Sequence, residues 1–198
     1  MTLLVHSVSI GWLDLDGWST TYVGAHWLAT SELPAKQYQT SPRHGPLSQL
    51  LLISAHHLVE VMFFKCVNKL VDASPGVFTG IEKQLQNDKS IRFGAVIKEW
   101  PRLLTGCSFD LSQEPFKSIE RLNTRRNATI HKESALASLD MARSALFSAV
   151  QASRAMSEHL LGVGSFKRYE TVLQKYPLPD EPWFSDVKFI ERFRSKKP

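Results

Sequence analysis

From Leu47 to about Asp72 the apolar positions run almost all the way round a helical wheel, through Leu50, Leu51, Ile53, Leu58, Val61, Met62, Cys66, Val67 and Leu70. A helix that is apolar on nearly every side belongs at the centre of a bundle. Pro46 suits its opening turn, where a missing N–H leaves nothing unpaired. Ser74-Pro75-Gly76 stops it. Residues 77–89 read as a polar connection. A second helix is predicted from a cap at Ser90 to about Leu104, with Phe93, Val96, Ile97, Trp100 and Leu104 on its apolar face. Pro101 is expected to kink or shorten it, and Gly106 to end it. A third helix begins near Glu114-Pro115 and carries Phe116, Ile119 and Leu122 toward His131. A fourth is capped by Ser134 or Ser138 and ends at Gly162. Its inner stripe is Leu139, Ala142, Leu146, Val150, Ser153, Met156 and Leu160, and its many Ala and Ser residues permit a close neighbour.

The two ends follow other patterns. Residues 2–10 alternate loosely through Leu4, His6, Val8 and Ile10, which predicts a short strand. Gly11, Asp14, Asp16 and Gly17 read as turn residues, with Trp12, Trp18, Tyr22 and Trp27 spread among them. A hairpin or an irregular arm packing its indoles on the body fits that stretch. Beyond Gly164, Pro177, Pro179 and Pro182 interrupt a segment rich in Trp183, Phe184, Phe189, Ile190 and Phe193, expected to dock on the body or on a second subunit. The expected architecture is mainly α: an up-and-down bundle of four or five helices over 46–162. An N-terminal arm over 1–45 and a C-terminal extension over 163–198 flank it.

Composition narrows the class. The chain has 198 residues, 43% hydrophobic and 22% charged, which fits one globular domain with extensions and excludes disorder or low complexity. The most apolar stretch, 50–71, is broken by His56, His57, Glu60, Lys65, Asn68 and Lys69, too many polar groups for a comfortable bilayer span, so no membrane is expected. The N-terminus has no basic region followed by a sustained apolar run. Cys66 and Cys107 match neither a disulfide framework nor a zinc site and read as two free thiols. Together these predict a cytoplasmic location. Lys plus Arg number 24 against 19 Asp plus Glu, a net charge of +5 that suits a polyanionic partner such as nucleic acid.

The candidate chemistry lies in Arg126-Asn127-Ala128-Thr129-Ile130-His131. An arginine grips a phosphate through a planar fork of donors and offsets its charge. A histidine near neutral pH can take a proton from a ribose 2′-hydroxyl or give one to a leaving 5′-oxygen. Asn127 and His131 are four apart and share a helix face, so Asn127 can hold the imidazole or touch substrate. Arg126 and His131 are five apart, about 140° round a straight helix, so they do not converge within one chain. The same cluster can also be read as caps and salt bridges, with His131 favourable at the helix's negative end.

This stretch resembles the HEPN superfamily, whose mark is Arg, a polar residue, a short spacer and His. The run Phe116-x-x-Ile119-x-x-Leu122 before it, and the helix Gln49 to Lys65 with its His, Glu and Lys, resemble the family's helices too. The similarity covers roughly 47–162. It implies a helical bundle, a homodimer whose paired motifs form one cleft, and metal-independent RNA cleavage leaving a 2′,3′-cyclic phosphate and a 5′-hydroxyl. In that scheme His131 is the acid–base residue, Arg126 binds the phosphate and Asn127 orients. Toxin or antiviral defence roles, with a cognate antitoxin or regulatory protein, are further implications. A non-catalytic bundle that binds RNA, nucleotide or a protein partner is the alternative. One toxin branch carries a tyrosine two residues after the histidine, where this chain has Glu133.

Glu60 sits where some members place an acidic residue facing the cleft; it can orient His131 or Arg126, or pair with a neighbouring basic group. Arg121, Arg125 and Lys132, with Arg143, can extend a basic surface for RNA, or be the solvated face of a helix. His56 and His57 are adjacent and make a poor metal pair, at least one reading as a packed histidine. Neither a metal nor a cofactor is expected, since no Gly-rich phosphate loop, nucleophile elbow or zinc helix is present.

Overall fold

A computed structural model of the chain describes residues 16–30, 46–87, 91–131 and 138–178. The strand expected over 2–10 lies outside these residues. So do Trp12, Lys132, Glu133 and the aromatic and basic end beyond Leu178. The described part is mainly α, a helical bundle of seven helices without a strand among the described residues. They are α1 (Gly17–Thr30), α2 (Pro46–Ala73), α3 (Thr79–Gln86), α4 (Phe93–Thr105), α5 (Lys117–His131), α6 (Leu139–Leu161) and α7 (Lys167–Lys175).

As its pattern predicts, α2 is the axis. Leu51, Leu52, Ala55, Leu58, Val59, Met62, Phe63 and Val67 are all sealed from solvent, on more than one face of the helix. By length and composition 47–73 is long and apolar enough to cross a membrane; here 56% of that window is buried inside the bundle. The heaviest packing is against α6, whose Ala142, Ala145, Ala149, Ala152 and Ser153 let the two backbones approach closely. Ser138 rather than Ser134 caps α6, accepting from the Met141 N–H at 3.2 Å, and Gly162 ends it.

Three expectations are corrected. Residues 17–30 form a regular helix, not a hairpin or irregular arm. Asp16 is not a turn residue but the N-cap of α1, its Oδ1 accepting from the Ser19 N–H at 2.9 Å. Residues 77–89 are not merely a connection: α3 forms within them, anchored by buried Ile81 and half-buried Leu85. Pro101 does not shorten α4, which runs on to Thr105. The apolar face continues past the proline into the core, with Trp100 buried beside it, and Gly106 then stops the helix at φ 79°. The start of α5 also shifts, to Lys117, two residues beyond Pro115.

The indoles do pack on the body, by a specific route. Trp18 is fully buried and donates to Ser153 Oγ of α6 at 3.2 Å. It stacks on Tyr22 at 5.4 Å and meets Phe166 and Tyr169 edge-on at 5.4 and 4.9 Å. The Tyr22 hydroxyl donates to the Tyr176 carbonyl, and burial raises its pKa. Asp16 joins the same seam, pairing with Lys65 of α2 and, at 3.0 Å, with Arg168 of α7. The beginning of the C-terminal extension thus docks on the body, as expected of the extension as a whole.

Candidate functional site

The first half of α5 is an anchor. Ser118, Ile119 and Leu122 are buried. Ser118 Oγ donates to Glu114 Oε2 at 2.6 Å, while Arg121 pairs with Glu114 and donates to Ser118 Oγ at 2.8 Å. Lys98 of α4 meets Glu120 at 2.8 Å. Gly94 in the first turn of α4 lets Asn123 in close: a Cβ there would stand 3.0 Å from its amide nitrogen. Past Leu122 the helix rises out of the core. Arg125 and Arg126 are half-buried and Asn127 and Ile130 are exposed, so the Arg-Asn…His sequence occupies the emerging end. His131 is the last residue of α5; its side chain lies outside the described residues. The helix is continuous from 126 to 131, so the offset of about 140°, with a rise of about 7.5 Å, holds for the backbone.

Arg126 Nη1 donates to Asn127 Oδ1 at 3.1 Å. Across the seam, α2 presents Glu60. Its carboxylate lies 3.5 Å from His56 Nδ1 and 3.8 Å from His57 Nδ1. Burial pushes the Glu60 carboxyl up, but the hydrogen bond from His56 and the charges of His56, Arg126 and His57 outweigh it and hold it below its ordinary value. Glu60 is therefore an anion at neutral pH, partnered directly by two histidines and at longer range by Arg126. Of the readings of Glu60 from sequence, pairing with neighbouring basic groups is the one seen here.

His56 is the packed histidine, buried edge-on against Phe93 at 5.5 Å with its Nε2 sealed away from a partner; His57 is exposed. Their link to Glu60 was open to sequence reasoning, since positions four and three before a glutamate share its helix face. Among the described residues no group of three or more His, Cys, Asp or Glu could hold a metal ion.

The expected RNA contacts are scattered. Arg121 is drawn into the Glu114–Ser118 cluster at the opposite end of α5. Arg125 is half-buried one residue before Arg126, and Lys132 lies outside the described residues. Arg143 donates through Nε to the Ala29 carbonyl at 2.8 Å, closing the C-terminal end of α1. Arg126 and Asn127 are thus joined, with the charge of Arg126 reaching Glu60, and Arg121 stands apart.

From His57 and Glu60 a groove of about 800 Å³ extends along α2, walled on its far side by the end of α6 and by α7. A half-buried guanidinium at an exposed helix end, bonded to the Asn127 amide and within range of the Glu60 charge, is chemically suited to hold an anion such as a phosphodiester. The chain matches no family model, no curated protein and no solved structure.

Proposed function

We propose that this chain is an endoribonuclease of the HEPN type, cleaving RNA without a metal by attack of the ribose 2′-oxygen on the adjacent phosphorus. The observation that supports this best is the placement of Arg126 on the emerging end of α5, bonded to Asn127 and within range of the charge of ionised Glu60. His131 takes the 2′-hydroxyl proton; the new O2′–P bond forms as the P–O5′ bond breaks, and the 5′-oxygen leaves with a proton. Arg126 offsets the charge that builds on the phosphoryl oxygens. The products are a 2′,3′-cyclic phosphate and a 5′-hydroxyl.

The angular separation of Arg126 and His131 favours a two-fold homodimer, in which the histidine of one subunit serves the arginine of the other. We assign the protein to the cytoplasm as a toxin or defence effector, with a cognate antitoxin or regulatory protein as partner. Glu133, where one branch has a modifiable tyrosine, argues for control by a route other than modification at that position. A second reading is a non-catalytic module that binds RNA, nucleotide or a protein. It is favoured by the Arg126 fork already spending one arm on Asn127.

Total RNA incubated with the purified chain and a chelator separates the two. Cleavage with cyclic-phosphate ends, lost in both His131→Ala and Arg126→Ala, is the result expected. Tight RNA binding without cuts by the native chain would leave only the module.

A further inference from the structure

The groove beyond Glu60 is lined by more than the proposed chemistry uses. Along one face of α2 run His57, Phe64, Lys65, Asn68 and Asp72, with Lys69 beside them; Arg168 and Tyr169 of α7 stand opposite. Its charges are ordered. Glu60, whose charge Arg126 influences, lies at one end and Asp72 at the other, while Lys65, Lys69 and Arg168 occupy the middle. Lys65 and Arg168 are fixed there by sharing Asp16, and both lie over the Tyr169 ring, at 5.3 and 5.2 Å. Asp16 offsets one of these two cations and exposed Lys69 adds another charge, so the middle is locally positive, while Glu60 and Asp72 at the ends balance the lining as a whole. Among the described residues neither the Lys69 nor the Asn68 side chain has a hydrogen bond or ion pair. Apolar wall comes from Val61, Phe64 and Leu161. A mostly apolar cleft with a few aimed polar groups is the usual form of a small-molecule subsite, and unstacked RNA bases are taken up in such clefts.

We infer that this groove is the subsite for the RNA nucleotide next to the scissile linkage, with Lys69 and Arg168 on its phosphate and Asn68 on its base edge. The inference rests on the ribonuclease reading, because the groove meets the proposed site at Glu60. The carboxylates at its two ends suit the donor groups of a ribose or a base. The positive middle suits one phosphate, so the subsite takes a single nucleotide unit in an unpaired strand rather than a duplex, whose bases are stacked away.

The test is binding of a fluorescein-labelled, non-cleavable 2′-O-methyl oligonucleotide, followed by anisotropy at several salt concentrations. It compares the native chain with Lys69→Gln, Arg168→Gln and Asn68→Ala, each checked for folding by circular dichroism. The two cation variants are expected to bind about fivefold more weakly, with the log–log salt slope reduced by about 0.7 for each phosphate contact removed. Asn68→Ala is expected to keep the slope and flatten the preference among homopolymers. Unchanged affinity and slope in Lys69→Gln and Arg168→Gln would overturn the inference, as would failure of the native chain to bind the oligonucleotide. Cleavage is scored separately on unmodified RNA. Groove-dependent binding without cuts would keep the subsite and remove the nuclease, whereas cuts with groove-independent binding would do the reverse.

Discussion

Glu60 and Arg126 act on each other across the seam where α5 lies on α2, the guanidinium being one of the charges that keep the half-buried carboxyl ionised. Burial works against that ionisation, and the hydrogen bond from His56 is the strongest of the influences that reverse it. The sign for stability follows. A carboxyl whose folded pKa is depressed stabilises the fold above its unfolded value, ordinarily near 4.5, and that contribution is lost as pH falls through the folded value. Glu60→Gln is therefore expected to melt below the native chain between pH 5 and 7. The gap should narrow once the pH drops under about 4.5. Thermal unfolding followed by circular dichroism at a series of pH values checks this; a gap constant down to pH 3 would contradict it.

Arg126→Lys keeps the charge but not the planar fork. If the guanidinium holds a phosphoryl group by two parallel bonds, the lysine variant should lose about 10²- to 10³-fold in kcat with a smaller change in KM. His131→Ala should lose about 10²- to 10⁴-fold, the range of general acid–base catalysis. Mixing the two inactive variants tests the shared cleft. Heterodimers that regain part of the native rate place the two groups on different subunits, and a mixture as inactive as its parts places them on one.

Ser153→Ala strands a donor. The Trp18 N–H is fully buried and bonds to Ser153 Oγ, so removing that acceptor should cost about 1–3 kcal/mol in urea unfolding. Trp18→Ala should cost about 3–5 kcal/mol, as for a large aromatic taken from a packed core. A loss below about 0.5 kcal/mol in both would mean that α1 is a loose appendage.

The two thiols should separate in a titration with a chromogenic disulfide. Cys107 is exposed and should react at once. Burial raises the Cys66 thiol to about 11, so it should react only when the chain is unfolded. One rapid equivalent in the native protein and two in denaturant is the expected count.

Much of the bundle was legible from spacing alone. The all-round apolarity of α2, the stripe of α6 and the terminators at Gly106 and Gly162 each rest on local chemistry that tertiary packing reinforces. The first helix was hidden by the same kind of local signal: Asp16 and Gly17 look like a turn, and Thr20, Thr21, Val23 and Gly24 are weak helix formers. What makes α1 helical is burial of Trp18, Tyr22, Ala25 and Ala29, which the turn-like residues before and among them mask in a linear pattern. At the candidate site, Arg126 and Asn127 were legible from their motif. The influence of Arg126 on Glu60 was not, because it depends on how α5 lies against α2. The groove was wholly invisible, being made by α2 and by α7, whose helical character the prolines downstream obscured.

Trp18 sits beneath Phe166 and Tyr169, and Asp16 reaches Arg168, so a segment synthesised before the central helices is sealed by one synthesised after them. While such a chain is being translated, this indole has no lid until α7 has left the exit tunnel. A nascent or prematurely terminated product would present a bare aromatic cleft to chaperones and proteases, and the wall of the groove would be missing from it.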